Sequence, residues 1–237
     1  MIEFINTMKA AIFDMDGVIV DTNPHHRLAW RRYFERYGKA LTDEDFVRYV
    51  SGKHNDDILR HLFADRSLSP DEARQLAAEK ETLFRDLYRP DMTPVAGLPE
   101  FLQKLRKAGI RTAVGTSAPV ENLDFVMDAL NLRPYFDVLL DESKVSRPKP
   151  DPEIYQQAMR FLGVEPQESV IFEDSTTGIR AASSAGAYVV GLATTETPEK
   201  LIEAGANEVI QDFTALNPSR FQDLLTRSIP ADRLAKP

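Results

Sequence analysis

Cysteine is absent from the 237 residues, so disulfides, thiolate nucleophiles and cysteine-based zinc sites are all excluded. That absence is compatible with a reducing cytoplasm. Positive charge is scarce: 29 Lys and Arg stand against 37 Asp and Glu, a formal net charge of −8. A nucleic-acid binder needs clustered cations to grip a phosphate backbone, and the balance argues against one. A small phosphorylated ligand stays open, because a few local cations and a metal outweigh a weak global field. Long apolar runs are missing too. None approaches the ~20 residues of a membrane span. Glu3, Asp14 and Asp16 break the N-terminal stretch into pieces too short for a signal peptide. The expectation is a soluble, unexported, cytoplasmic protein with no membrane or nucleic-acid partner. No internal repeat or low-complexity segment is present. What remains is 43% hydrophobic and 28% charged, an ordinary globular balance with enough apolar residues for a sizeable core. The length fits one large domain or a core domain carrying an insert.

The pattern along the chain favours the second arrangement. Residues 9–13 form a short apolar run that stops at Asp14-Met15-Asp16-Gly17, which reads as a buried strand ending in a loop. From about 23 to 92 only amphipathic helical patterns occur, and Ser69 and Pro70 mark the start of a long helix running to Tyr88. After Pro94, helices and strands alternate, with strands expected at 110–114, 136–140, 170–172, 188–192 and 209–210. That alternation predicts an α/β fold, a doubly wound parallel sheet with helices on both faces. The helical stretch is then an inserted helical-bundle domain over 22–93, within a core made of 1–21 and 94–237.

In such sheets ligands sit beyond the carboxyl ends of the strands. Four polar clusters fall there: Asp14 with Asp16, Thr116 with Ser117, Arg147 with Lys149, and Glu173 with Asp174. Asp-Gly on its own is a common hairpin turn, but a buried strand followed by a helical segment is not a hairpin. Carboxylates at a strand terminus are expensive without a cation or donors to compensate them. Alternate residues of an extended segment face one way. One carboxylate can therefore attack phosphorus while the second protonates the leaving oxygen. Glu173 and Asp174 read either as loop charge, with Asp174 capping the next helix, or as partners of the first pair around a divalent ion. Oxygen ligands without His or Cys suit Mg2+. Thr116 or Ser117 is expected to cap the helix near Pro119 and to help cradle a phosphate. Of the two cations in the proline-rich loop 146–152, Arg147 is the preferred phosphate contact, with Lys149 the alternative.

Together these stretches resemble the haloacid dehalogenase (HAD) superfamily. The likeness rests on 14–22 (DMDGVIVDT), Thr116, the Arg-Pro-Lys-Pro-Asp-Pro run at 147–152, and Phe172-Glu173-Asp174-Ser175 with Gly178-Ile179. It is nearest to the β-phosphoglucomutase-like branch, with a Rossmann-like core and a helical cap, and it covers nearly the whole chain. The resemblance implies that Asp14 becomes an aspartyl-phosphate and that Asp16 acts as general acid and then base. It also implies Mg2+ held by Asp14, the Asp16 carbonyl and Asp174, with Glu173 ligating or supporting, and Thr116 on the transferring phosphoryl group. Asp16 separates the chain from the dehalogenases, which lack an acid there. Arg147 departs from the Lys usual before the first proline of the third motif, and Arg and Lys are not interchangeable at a phosphate.

The mutases of that branch need a second phosphate anchor. Its positions correspond here to Asn55 and to Ala118-Pro119-Val120, which offer one amide and no side-chain cation. Thr22, His26 and Lys80 match mutase positions, or else are ordinary helix-surface residues. The loop 51–55, with Lys53, His54 and Asn55, is either a reader of the leaving group or a plain connector. The expected activity is a Mg2+-dependent phosphatase for a small phosphate ester, with a sugar phosphate as a candidate class, in a monomer or weak dimer. The cap would close over the site on hinges near 21–22 and 92–94. The alternatives are a β-phosphoglucomutase or other sugar phosphomutase, an inorganic pyrophosphatase, and a catalytically dead binding protein.

Overall fold

The computed structural model describes residues 8–50, 53 and 55–226. The chain divides into two compact units, Met1–Asp21 with Thr93–Pro237, and Thr22–Met92.

The first unit is built on a six-stranded parallel sheet. Its strands are β1 (Ala10–Phe13), β2 (Arg111–Gly115), β3 (Val138–Leu140), β4 (Ser169–Glu173), β5 (Tyr188–Leu192) and β6 (Glu208–Ile210). Their order is β3-β2-β1-β4-β5-β6, the doubly wound order that reverses between β1 and β4. All four residues of β1 are buried, as a strand covered on both faces must be. Residue alternation then assigns each side chain a face. Ala10 and Ile12 of β1 and Ile171 of β4 pack with α7 (Glu153–Leu162), α8 (Thr176–Ser184) and α9 (Pro198–Ala204). Phe13 and Phe172 stack at 4.9 Å on the other face and meet Phe101 of α5 (Leu98–Lys107) and Phe213. The helices α6 (Val120–Ala129) and α10 (Pro218–Thr226) complete this unit. The third strand starts at Val138 rather than 136, because Arg133–Tyr135 form a short 3-10 turn and Phe136 packs edge-on against Phe13.

Among its described residues the second unit holds four α-helices, α1 (Asn23–Arg36), α2 (Asp43–Tyr49), α3 (Asn55–Leu62) and α4 (Pro70–Tyr88). Trp30, Tyr33 and Phe34 of α1 pack with Ile58, Leu59 and Leu62 of α3 in its core, the i, i+3, i+4 spacing of a buried helix stripe. The start of α4 lies where the sequence marked it. The Ser69 hydroxyl accepts the Glu72 N–H at 3.3 Å, and the Glu72 carboxylate accepts the Ser69 N–H at 3.0 Å. Among the described residues no helix is long and apolar enough to cross a membrane.

Candidate active site

The carboxyl ends of β1 and β4, on either side of the strand-order reversal, carry a cluster of buried acids. Parallel pairing sets Phe13 beside Phe172, and the Asp14 N–H continues the ladder to the Phe172 carbonyl at 3.0 Å. Alternation puts Asp14 and Glu173 on the same face as Ile12 and Ile171, the face covered by α7. Asp14, Glu173 and Asp174 are all buried, with carboxylate oxygens within 4.8 Å of one another. Asp16 lies two residues beyond Asp14 and is partly exposed.

One ammonium enters this cluster. Lys149 Nζ donates to Asp14 Oδ1 at 3.0 Å and to Glu173 Oε1 at 2.7 Å, and its side chain is only 7% exposed. Arg147, the cation preferred from the sequence, lies outside this cluster. Its side chain is 67% exposed and pairs outward with Asp151 at 3.1 Å and Glu153 at 3.5 Å. The cause is local. Glu153, in the first turn of α7, accepts the N–H groups of Ser146 and Arg147 at 3.1 and 3.0 Å. This grip pins the loop, and Lys149, two residues on, points inward.

Tyr155 of α7 completes the cluster. Its phenol donates to Glu173 Oε1 at 2.6 Å, and Lys149 Nζ lies 4.8 Å from its ring centroid. The other Glu173 oxygen accepts the N–H groups of Asp174 and Ser175 at 3.0 and 3.2 Å. Gly178 makes room for this carboxylate, since a Cβ there would lie 1.7 Å from Glu173 Oε1. Gly17 has the same function at Asp174. Its φ is +76°, and an added Cβ would sit 1.9 Å from Asp174 Oδ2.

The electrostatics follow from three buried acids and one buried base. Burial pushes Asp14 up to about 7, with Lys149 opposing and Glu173 and Asp16 adding to the rise. Burial, Glu173 and Asp14 hold Asp174 well above the usual carboxylate range, against the Thr195 hydroxyl. Burial would also raise Glu173, but Lys149 and Tyr155 outweigh it and keep the group low. Burial works against charge on Lys149, and Asp14 and Glu173 more than offset it, so its ammonium is held above the ordinary lysine value. With two acids raised and one cation among three carboxylates, the cluster is short of positive charge. Its donors are all hard oxygens, and this fits a divalent ion such as Mg2+.

The remaining expected residues divide into two groups. Thr116 is buried directly beyond β2, and its hydroxyl accepts the Ala118 N–H at 3.1 Å. Ser117 is exposed. Neither caps the next helix: the N-cap of α6 is Pro119, with no side-chain capping bond, because the Thr116 hydroxyl is spent inside the turn. Nor does Asp174 cap α8, whose N-cap is Ser175, accepting the Gly178 N–H at 3.0 Å.

In the second unit, His26, Asn55 and Lys80 come together in one network. Lys80 Nζ lies 2.9 Å from His26 Nδ1 and donates to Glu81 Oε1 at 2.8 Å, and the Asn55 amide donates to the same oxygen at 2.8 Å. Lys80 is buried, with its ammonium 4.8 Å from the Trp30 ring centroid, so the solvated-surface reading of this residue does not hold. The His26 ring stacks on Phe84 at 3.7 Å, and burial with the Lys80 charge lowers it to about 3. Thr22 is buried at the start of α1, where its carbonyl accepts the His26 N–H at 2.9 Å. Lys53 is exposed and outside this network, while His54 lies outside the described residues.

Sequence reasoning missed Tyr155, Glu81, Thr194 and Thr195. Tyr155 shares the apolar stripe of α7 with Ile154 and Ala158 and reads as core. The threonines carry no periodic signal. Thr194 donates to the Gly17 carbonyl at 2.6 Å and Thr195 to Asp174 Oδ2.

The family model for haloacid dehalogenase-like hydrolases matches residues 11–192. A phosphorylated carbohydrates phosphatase of Thermotoga maritima is 35% identical over 215 residues, covering 89% of this chain and 97% of that protein. A β-phosphoglucomutase of Bacillus subtilis is 30% identical over 193 residues, covering 78% and 83%. Among solved structures, a family IA, variant 3 HAD hydrolase from Entamoeba histolytica superposes with a TM-score of 0.84 at 28% identity, covering 93% of this chain and all of the other. By its sequence, its sheet order and these relatives, the chain belongs to the haloacid dehalogenase-like hydrolase family.

Proposed function

We propose that the chain is a Mg2+-dependent phosphatase acting on a small phosphate ester, a sugar phosphate being the favoured class, through an aspartyl-phosphate on Asp14. The observation that carries this reading is the Lys149 ammonium bridging Asp14 and Glu173 at the strand-order reversal, with Asp174 beside them and Asp16 two residues on.

Asp14 attacks phosphorus through a carboxylate oxygen, and the bond from phosphorus to the leaving oxygen breaks. Asp16 delivers its proton to that oxygen, so an alcohol leaves rather than an alkoxide. The deprotonated Asp16 then takes a proton from water, which attacks the phosphorus of the aspartyl-phosphate and releases inorganic phosphate, restoring Asp14. Lys149 opposes the rise that burial imposes on Asp14, orients its carboxylate between turnovers and offsets charge on the transferring oxygens. The Thr116 hydroxyl and nearby N–H groups are the phosphoryl cradle. Asp14, Asp174 and the Asp16 carbonyl, with Glu173 in support, would hold Mg2+, which would supply charge neutralisation for the phosphate oxygens.

The β-phosphoglucomutase relative makes a mutase the second reading. Two observations weigh against it. The Asn55 amide is committed to Glu81, and the turn at 118–120 offers no side-chain donor for a second phosphate. A phosphate-release screen over sugar phosphates, nucleotides and pyrophosphate with Mg2+, run beside a bisphosphate-primed assay with β-glucose 1-phosphate, separates the readings. Phosphate release from a sugar phosphate is expected. Isomerisation to glucose 6-phosphate without net release favours the mutase, and preference for pyrophosphate overturns both.

A further inference from the structure

Beyond β5 the chain turns at residues 193–195 and lays two consecutive hydroxyls on the Gly17 carbonyl and the Asp174 carboxylate. Thr194 Oγ1 donates to the Gly17 carbonyl at 2.6 Å, and Thr195 Oγ1 donates to Asp174 Oδ2. Those two acceptors belong to groups already in contact, since the Gly17 α-carbon lies against the Asp174 carboxylate. One dipeptide therefore holds both sides of the approach between the loop after β1 and the end of β4.

The chemistry of the donor matters. Asp14 and Glu173 share the Lys149 ammonium, which neutralises part of their charge. The donor from the β5 loop to Asp174 is a neutral hydroxyl. A hydroxyl fixes the side-chain rotamer without adding a positive charge that would compete with a cation for the carboxylate. Thr195 is also exposed, so its side chain contributes little packing. A donor on the surface of the fold, aimed at a buried acid, is suited to orientation rather than to core stability.

We propose that Thr195 is a positioning residue for the divalent-cation site. It fixes the Asp174 carboxylate so that the acid presents its charge to the ion, while Thr194 clamps the Gly17 peptide against it. The inference rests on the Mg2+ reading of the proposed function.

The test is calorimetric titration of Mg2+ into metal-free protein, with melting temperatures recorded with and without Mg2+. Thr195→Val, which keeps the shape and removes the hydroxyl, is expected to weaken Mg2+ binding about tenfold, the lower end for loss of an outer-shell partner. Its metal-free melting temperature should stay at the wild-type value. Thr195→Ser should restore affinity to within about twofold, since it returns the same donor. Asp174→Asn is the control and should abolish measurable binding. Wild-type affinity in Thr195→Val while Asp174→Asn loses binding overturns the positioning role alone. Wild-type affinity in Asp174→Asn as well overturns the metal reading, and this inference with it.

Discussion

Two basic residues sit two positions apart in one proline-rich loop and face opposite ways. Arg147 pairs with Asp151 and Glu153 at the surface, and Lys149 bridges two buried carboxylates. Removing one partner of a buried ion network costs about 3–5 kcal/mol, whereas an exposed pair contributes about 0–1 kcal/mol. Lys149→Ala should therefore lower stability by about 3 kcal/mol in denaturant unfolding and cut turnover at least about 100-fold. Arg147→Ala should change turnover less than about twofold, as expected for a surface substitution away from the site. Equal losses in the two variants would contradict the assignment of Lys149. Gly17 is the second residue whose position is unforgiving. Gly17→Ala forces a Cβ into the Asp174 carboxylate, and a displacement on the order of 1 Å at such a group costs about 100-fold in rate. A Gly17→Ala enzyme with wild-type turnover would refute the close approach. Which of the two cations enters the site was not legible in the sequence, because the grip of Glu153 on the loop's N–H groups decides it. The place of Asp14 at the end of a buried strand was legible, because an apolar run that stops on two acids has few structural explanations.

At the scale of elements, α4 shows where pattern reading works and where it stops. Its start followed from Ser69 and Pro70, since capping chemistry is local. The burial of Lys80 and Glu81 did not follow, because charged residues in an amphipathic helix ordinarily face water. Their partners Asn55 and His26 come from α3 and α1. Either single substitution, Lys80→Met or Glu81→Leu, leaves an uncompensated buried charge and should destabilise by about 3 kcal/mol. The double variant should lose less than the sum of the two singles in a denaturant double-mutant cycle, and strict additivity would argue against the pair. The same network keeps His26 neutral. Its value is lowered to about 3 by burial and then by Lys80, so the folded ring takes up no proton while an unfolded one does so near 6.5. Stability from this residue is thus present above about pH 6.5 and is lost as pH falls towards 3. An NMR titration should show no change at the His26 ring between pH 8 and 5, and a midpoint near 6.5 would contradict the network. In the first unit, alternation along β1 and β4 explains why Asp14 and Glu173 share a face with Tyr155. The tyrosine itself was hidden, since a ring in an apolar helix stripe gives no sign that its hydroxyl holds a carboxylate.

For the whole molecule, the order of strands determines where the chemistry sits. Alternating helices and strands were readable because a parallel sheet buried on both faces demands continuous apolar runs bounded by turn residues. The helices between residues 23 and 88 were readable because their apolar spacing follows the helix repeat instead. The strand order was not readable, yet it sets Asp14 beside Glu173 and Asp174 at the reversal between β1 and β4. The resulting charge deficit predicts how metal binding responds to pH. With Asp14 raised to about 7, a cation must displace a proton below that value and meets a ready carboxylate above it. Mg2+ affinity should weaken about tenfold per pH unit for each proton displaced as pH falls below 7. Calorimetric titrations at pH 5.5, 7 and 8.5 would show this, and a flat affinity would contradict the charge assignment. In the proposed reaction Asp14 receives the phosphoryl group. Reduction with borohydride during turnover converts an aspartyl-phosphate to homoserine, and peptide mass analysis locates the change. Homoserine at position 14 in the wild type, with neither modification nor phosphate release in Asp14→Asn, is the predicted result. Mg2+-dependent turnover that persists in Asp14→Asn would contradict it.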